Sequence, residues 1–383
     1  MLTPETRQRD FPTLQTMIYL NSAAESIPPT CVGEALQAYW RDKLHGMDGR
    51  DAHFAVLEQC REIAAHLVQL DPDEVGFCSC SAEAYNLLAT ALDLQADDEV
   101  VVSELDFPSG TTPWLAAPTR PRMRLWTARD GALDVAGLLP LLNRHTRLVQ
   151  VSLVSFYNGF RIDWQPLHAA VRHHAPNALI SVDVTQALGR VALDCHGADC
   201  LISSTHKWVL GLHGGCIVGV PRARAHQLTT RAGGWFHLNN AFDADRFERA
   251  APKPGAASWS VGMPNFAAIY ALNASLRYVA SIGVDAIAAV ADPLTQALHD
   301  GMVELGLQPM APRRSPADSG IVAIQHPRSG DIHAALAREN IHVMHQAGRL
   351  RMAVHGYNTA AEVAHCLAVL RMALAQHPRT PPL

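Results

Sequence analysis

The sequence predicts an α/β protein whose mostly parallel sheet is covered by helices on both faces and is followed by a smaller α/β unit. Short β-rich runs alternate with helical segments from about residue 75 to 220. Two of the runs, "VQVSLV" and "LISVDV", are apolar on both faces, as a central strand requires. A segment with three prolines and two glycines, 252–265, ends the alternation. This order of elements indicates parallel strand–helix–strand units.

The predicted elements follow one another in a regular order. The β-rich runs cover 99–104, 123–128, 147–154, 178–184, 200–204 and 215–220. Helical patterns lie between most of them or frame the smaller unit, at 81–92, 134–143, 166–174, 266–283 and 360–376.

Composition excludes several classes of protein. The 383 residues are 48% hydrophobic and 17% charged, which indicates a globular chain. The net charge of -5 gives no general attraction to nucleic acid or to an anionic membrane. No apolar run approaches the roughly 20 residues of a membrane span, and 1–14 lack the pattern of a secretory signal, so a cytoplasmic protein is expected.

Cysteine and histidine usage predicts neither disulfides nor a metal site. The eight cysteines are scattered without a C-x-x-C pair, which is typical of reduced, buried thiols. The twenty histidines show no H-E-x-x-H and no paired ligand spacing.

Two ionisable residues follow strand-like runs, where an open parallel sheet binds its ligands. Lys207 in "SSTHKW" comes just after 200–204. Its amine can form an imine with a carbonyl cofactor, or it is a surface lysine in a turn. Asp183 ends the run 178–184. Its carboxylate either pairs with a cation such as a protonated pyridinium nitrogen or caps the start of a helix.

Two more motifs point to anion binding. In "CSCSAEAYNLLATAL" a strand-like run leads into a helix that begins near Ser81, and the free N–H groups of a helix start favour a phosphate. The order Ser-x-Glu is also an ordinary helix start. Arg351 stands in an alternating run, so it either points inward to hold a ligand carboxylate or forms a structural salt bridge.

Together the four motifs resemble the class V aminotransferase family. The resemblance rests on a lysine after Ser-x-His, an earlier Asp-x-x-Gln, the phosphate turn and a late Arg-…-Tyr-Asn-Thr. It covers nearly the whole chain, from 17–30 to 355–363. The family uses pyridoxal 5′-phosphate and includes cysteine desulfurases, C–S lyases, kynureninase and isopenicillin N epimerase-like proteins. It implies a fold-type I enzyme with a seven-stranded sheet, and a homodimer with shared active sites.

The resemblance also implies a division of the chain. An N-terminal arm over 1–14 would pack with the small domain. The large domain that binds pyridoxal 5′-phosphate would span 15–262, and a linking helix with the small C-terminal domain would span 263–383.

The family assigns the cofactor contacts to particular residues of this sequence. Lys207 would bind the cofactor covalently and then act as the proton-transferring base. Asp183 would keep the pyridinium nitrogen protonated. The other implied cofactor contacts are Gln186 at the phenolic oxygen, Phe107 stacked on the ring, and Ser81, Ala82, Ser204 and His206 at the phosphate.

The substrate contacts and two departures follow from the same resemblance. Arg351 would bind the α-carboxylate, and Ala24, with Ala23 before it, would line the substrate pocket. Met263 stands where the family often has a threonine that reaches the partner subunit's phosphate, so either the dimer contact would rest on the backbone N–H or the phosphate would be held less tightly. Asn158 would substitute for a desulfurase asparagine whose own place is taken by Phe156.

Two segments bear on the reaction. Desulfurases carry a catalytic cysteine on a loop before the late arginine, but 340–351 contains no cysteine and has little room for that loop. The segment 233–260 resembles kynureninase-like members, so Trp235, Phe236 and His237 either shape a substrate pocket across the dimer or pack at the subunit interface.

The resemblance implies chemistry at Cα and Cβ of an amino acid through an external aldimine. We expect β-elimination from a cysteine S-conjugate or a related amino acid, with a class V aminotransferase or an epimerase-like enzyme as the alternatives. A catalytically silent scaffold is disfavoured because Lys207 and Asp183 are both present. A Rossmann dehydrogenase would need G-x-G-x-x-G after its first strand, and the sequence has none.

Overall fold

The computed structural model describes residues 3–313, 315 and 318–375 of the chain. Within these residues the α-helices are α1 Pro4–Asp10, α2 Thr30–Lys43, α3 Arg50–Val68, α4 Ser81–Leu92, α5 Pro108–Ala116, α6 Val135–Leu138, α7 Trp164–His174, α8 Phe266–Ile282, α9 Val284–Glu304, α10 Ser329–Arg338 and α11 Ala360–Ala375. The strands are β1 Ile18–Tyr19, β2 Val75–Cys78, β3 Glu99–Ser103, β4 Arg122–Trp126, β5 Thr146–Ser152, β6 Leu179–Asp183, β7 Cys200–Ser204, β8 Cys216–Gly219, β9 Ile321–Gln325, β10 Ile341–His342, β11 Met344–Gln346 and β12 Arg349–Ala353.

A seven-stranded sheet of order β2-β8-β7-β6-β5-β3-β4 positions the candidate site. Strands β3 to β7 pair in parallel, whereas β8 runs antiparallel to both β2 and β7. Every residue of β3, β6 and β7 is buried, because helices cover both faces of the sheet. The predicted α/β fold with a mostly parallel sheet is confirmed, and each of the six predicted β-rich runs overlaps one strand.

A second, smaller sheet stands apart from the first. Strands β11, β12 and β9 form an antiparallel sheet, and β1 pairs in parallel with β10. The apolar core of this smaller part of the protein contains residues of β9, β12, α9, α10 and α11. Helix α1 contacts this part, since Arg7 donates to the Tyr357 carbonyl over 2.7 Å and pairs with Glu362.

The division into an arm, a large and a small domain stays a prediction. Residues 1–2 of the arm and 376–383 of the small domain lie outside the described residues. So does the last residue of the predicted helix over 360–376, of which α11 covers the rest.

One predicted helix is much shorter than expected. The pattern over 134–143 gives only the single turn α6, followed by a 3-10 turn from Leu139 to Leu141. Pro140 lacks the backbone N–H that a continuing helix needs, which is the physical reason for the early end.

No single helix of the described residues has the length and apolar character to cross a membrane. Helices α8 and α9 together have that length and apolar character, but the pair is bent by 76°. Much of α8 is buried inside the protein, as in the core helix of a folded domain.

Candidate active site

A cavity of about 90 Å³ lies where β5, β6 and β7 end and α4 begins. Parallel strands end at one edge of their sheet, so residues far apart in sequence meet there. The lining residues are Ser81, Phe107, Ser152, Val154, Phe156, Asp183, Thr185, Gln186, Ser204, His206 and Lys207. Seven of the residues predicted for the site are therefore together in one cavity: Ser81, Phe107, Asp183, Gln186, Ser204, His206 and Lys207.

The amine of Lys207 faces this cavity without a partner. Among the described residues no group accepts a hydrogen bond from its Nζ or forms an ion pair with it. Desolvation lowers the pKa of Lys207 to about 8, with Asp183 opposing the shift and Arg351 adding to it. Its Nζ lies 5.3 Å from the centre of the Phe107 ring. A substantial fraction of this amine is therefore neutral and nucleophilic close to neutral pH.

Asp183 is a buried carboxylate held by neutral donors. It is 8% exposed. Tyr85 donates its hydroxyl to Oδ2 over 2.8 Å, and the Thr185 N–H donates to Oδ1 over 2.8 Å. Residues 185–190 form turns instead of an α-helix, so Asp183 does not cap one. No described cation lies within ion-pair distance, which leaves the carboxylate able to hold a cationic group of a ligand.

Gln186 is already engaged by the protein on both sides of its amide. Its Nε2 donates to the Ala23 carbonyl over 2.9 Å, and its Oε1 accepts from Trp208 Nε1 over 2.6 Å. The first bond ties the turn around Ala24 to the cavity wall. Ala24 N–H donates to the Asn21 carbonyl, which closes that turn.

The N-terminus of α4 offers unpaired N–H groups beside the cavity. Ser81 is the first residue of the helix, and the first N–H groups of a helix have no partner within it. Glu83 N–H donates to Cys80 Sγ over 3.4 Å, and the Glu83 carboxylate accepts from the Ser79 N–H and hydroxyl. The N–H groups of Ser81 and Ala82 remain for an anion. Cys80 is exposed here and Cys31 is only partly buried, so the prediction of buried thiols is wrong for these two.

His206 faces the same cavity as a neutral ring. Its pKa is lowered to about 4 by burial and then by the charges of Lys207 and His213. The two histidine rings stack with centres 4.1 Å apart. A neutral imidazole here can donate or accept one hydrogen bond without adding charge.

Strand β12 carries two arginines that contact the segment after β5, although only one was predicted and neither is among the residues that line the cavity. Arg351 donates from Nη1 to the Phe156 carbonyl over 2.6 Å. Its pKa falls to about 10 because of burial and the neighbouring Arg349. Neither arginine forms an ion pair with a described carboxylate, so the salt-bridge alternative for Arg351 does not hold within those residues.

Six predicted residues are absent from the lining of this cavity: Ala24, Ala82 and Arg351, described above, and Asn158, Met263 and Trp235. Asn158 donates to the Gly131 carbonyl over 2.7 Å and accepts from the Phe160 N–H, so its amide holds a loop and does not replace the desulfurase asparagine. Met263 lines a neighbouring cavity of about 270 Å³. Trp235 is 41% exposed and packs on Phe236 and Phe242.

Sequence reasoning missed Tyr85, Thr185 and Arg349. Tyr85 follows Ser81 by one helical turn, so the helix period places both on one side of α4. Arg349 precedes Arg351 by two residues, so the strand period puts both on one face. These two spacings are signals that could have identified Tyr85 and Arg349.

The sequence is similar to a large group of known proteins. It matches the family model for aminotransferase class-V over residues 18–375. An uncharacterized aminotransferase of Bacillus subtilis, YcbU, is 27% identical over 367 residues, which cover 95% of this chain and 96% of the relative. A cysteine desulfurase of Dickeya dadantii is 30% identical over 307 residues, which cover 73% of this chain and 71% of the relative.

Solved structures share the fold. The apo structure of a cysteine desulfurase from Thermococcus onnurineus superposes with a TM-score of 0.88 at 22% identity, covering 98% of this chain and 99% of that one. The cystine C–S lyase C-DES, in complex with its reaction product cysteine persulfide, gives a TM-score of 0.86 at 20% identity, covering 94% and 99%. The likeness confirms the fold-type I architecture.

Proposed function

The chain belongs to the aminotransferase class-V family and is a pyridoxal 5′-phosphate-dependent enzyme, and we propose that it catalyses β-elimination from a cysteine S-conjugate or a related amino acid. The observation that carries the proposal is the pairing of an unpartnered amine, Lys207, with a buried carboxylate, Asp183, in a cavity whose described lining residues include no cysteine. The amine and the carboxylate are the groups that the cofactor requires. Without a cysteine in the described lining, no thiol there could accept sulfur from the substrate, which argues against desulfuration.

The residues present fit the cofactor. Asp183 lacks a cationic partner that a protonated ring nitrogen would supply, and Lys207 lacks any partner for its amine. Bound pyridoxal 5′-phosphate supplies an electron sink for the carbanion at the substrate Cα. Ser81 at the N-terminus of α4 and Ser204 would hold the phosphate, and Phe107 would lie against the ring, since all three line the cavity.

His206 and Gln186 have the remaining contacts. His206 would donate one hydrogen bond to the phosphate as a neutral ring, in keeping with its lowered pKa. Gln186 would donate to the phenolic oxygen with the second N–H of its Nε2, since the first N–H donates to the Ala23 carbonyl and Oε1 accepts from Trp208.

Substrate binding and proton transfer fall to Arg351 and Lys207. Arg351 holds the α-carboxylate, which supplies the anion that its buried guanidinium lacks. The neutral amine of Lys207 takes the proton from Cα. The electron pair of that C–H bond then forms the Cα=Cβ bond, and the Cβ–S bond breaks with its pair on sulfur. The thiol leaves, and hydrolysis of the remaining fragment gives pyruvate and ammonia.

The geometry before Arg351 supports this choice over cysteine desulfuration. Strands β11 and β12 are joined by two residues, Ala347 and Gly348, with φ angles of 51° and 77°. Positive φ at both positions defines the tightest class of hairpin turn. A hairpin of this size has no protruding loop, and it contains no cysteine that could take up sulfur.

Transamination is the second candidate. It is favoured by the match to the Bacillus subtilis aminotransferase, which extends over nearly the full length of both chains. Epimerisation needs the same first step at Cα, with return of the proton to the opposite face.

Product analysis separates these reactions. The purified enzyme, loaded with cofactor, is incubated with an S-alkyl cysteine in D₂O without a keto acid, and products are followed by mass spectrometry. Release of thiol with pyruvate supports elimination. Deuterium at Cα with an intact C–S bond rejects elimination as the native step and directs attention to epimerase and aminotransferase substrates. Lys207→Ala serves as the control, because it should remove both turnover and the absorbance of the covalently bound cofactor.

We propose a cytoplasmic homodimer for the working enzyme. Several large apolar side chains are exposed in the single chain, which supports a partner subunit: Trp40, Leu44, Met47, Phe242 and Phe247. In this arrangement Met263 and Trp235 approach the partner's site. Sedimentation measurements that show a monomer under assay conditions would reject the dimer.

A further inference from the structure

Arg349 and Arg351 form a pair of buried positive charges that no described carboxylate neutralises. Both side chains are 3% exposed. The Nε atom of each is buried and has no hydrogen-bond partner. Burial lowers the pKa of both guanidinium groups, which reflects the cost of keeping their charges away from water. Two such groups side by side repel each other, so anionic groups that pair with them are favoured.

Strand geometry aims both arginines at the same side. Alternate residues of a strand share a face, and Leu350 and Met352 of β12 point into the apolar core of the smaller sheet. Arg349 and Arg351 therefore point the other way, toward the segment after β5. Arg351 donates to the Phe156 carbonyl and Arg349 to the Tyr157 carbonyl over 2.8 Å.

Phe156 connects this pair to the active-site cavity. Its ring lines the cavity and packs edge-to-face against Phe107 with centres 4.9 Å apart. The Arg349 guanidinium lies 5.7 Å from the centre of the Phe156 ring and 4.1 Å from that of Tyr157. The Tyr157 side chain is 37% exposed, and one face of its ring lies against the Arg349 guanidinium.

We propose that Arg349 binds a second acidic group of the substrate, so that the enzyme acts on amino acids with a carboxylate at the end of the side chain. The proposal rests on the proposed function, in which Arg351 holds the α-carboxylate. Residues two apart on a strand lie roughly 7 Å from each other, a span that a short side chain ending in an acid covers. S-Carboxymethylcysteine has this structure, because a carboxylate ends its side chain and its Cβ carries the thioether sulfur that elimination would release. The acid reaches Arg349 when the Tyr157 ring turns aside.

The test measures binding without turnover. Adipate and its monoamide differ only in the charge of one end, and neither has an amine that could react with the cofactor. Isothermal titration of the cofactor-loaded enzyme should show adipate binding at least tenfold tighter than the monoamide, because a charge-assisted hydrogen bond is lost with the second carboxylate. Equal affinities would overturn the proposal, whatever the outcome of the elimination assay.

Three variants assign the preference to Arg349. Arg349→Gln should reduce it below threefold while the monoamide binds as before, and Arg349→Lys should keep part of it. Arg338→Gln removes the same charge from an exposed helix position and should leave the preference unchanged. A preference that survives Arg349→Gln, or falls equally in Arg338→Gln, contradicts the proposal. So does equal loss of both ligands in Arg349→Gln, which would mean that Arg349 only supports the Tyr157 loop.

Discussion

In the cofactor-free enzyme we expect the amine of Lys207 to titrate with a midpoint near pH 8. Desolvation lowers its pKa from 10.5 to about 8, and this difference sets the neutral fraction of the amine. At pH 7 that fraction is about one tenth, against about one in 3000 for an unperturbed lysine, a ratio of roughly 300. Folding thus prepares this one amine for attack on a carbonyl group.

Competitive labelling measures this value directly. The cofactor-free protein is labelled with trace acetic anhydride at a series of pH values, and the peptide that contains Lys207 is quantified by mass spectrometry. The same peptide in urea-unfolded protein is the reference, with an expected midpoint near 10.4. A midpoint close to that reference in the folded protein would refute the reasoning.

Two variants should move the midpoint in opposite directions. Arg351→Gln removes a positive charge that disfavours the charged amine, so the pKa of Lys207 should rise. Asp183→Asn removes the negative charge that favours it, so the pKa should fall. Shifts of the same sign would contradict the assignment of these causes. Because the folded state binds fewer protons at this group, the cofactor-free fold should also gain stability from it as the pH rises from about 8 to about 10.5.

Three further substitutions test the site and its support. Arg351→Gln should raise the KM for amino-acid substrates at least tenfold with the cofactor absorbance unchanged, and an unchanged KM would limit Arg351 to a structural role. Tyr85→Phe removes one of the two donors to Asp183 and should cost the cofactor-free protein about 1–3 kcal/mol of unfolding free energy in urea titrations. Asp292→Asn leaves the fully buried Arg190 without its ion pair at 2.7 Å, so we expect a loss of about 3–5 kcal/mol by the same measurement; less than 1 kcal/mol would mean that solvent reaches Arg190.

Much of the fold could be predicted because its signals are local. The helix predicted over 81–92 is α4 with the same limits, and the runs 200–204 and 178–184 contain β7 and β6. Apolar periodicity and the strand–helix alternation report which face each element buries. The prediction fell short over 134–143, where Pro140 ended the helix after one turn.

The core of the candidate site was predictable for a related reason. Lys207, Asp183 and Ser81 each stand at the end of a strand or the start of a helix, and a parallel sheet brings such ends to one edge. The strand order of the sheet is therefore enough to predict that these residues lie close together, and no side-chain contact has to be known.

Only the tertiary structure decided which groups these residues meet. Tyr85 and Asp183 are 98 positions apart in sequence, and Arg351 and Phe156 are 195 apart. Asn158 matched a motif approximately, yet its amide is consumed by a loop carbonyl. Sequence periodicity determined which face a side chain occupies. The partner on that face depended on how distant segments pack, because hydrogen bonds and desolvation act over a few ångströms in space and are indifferent to distance along the chain.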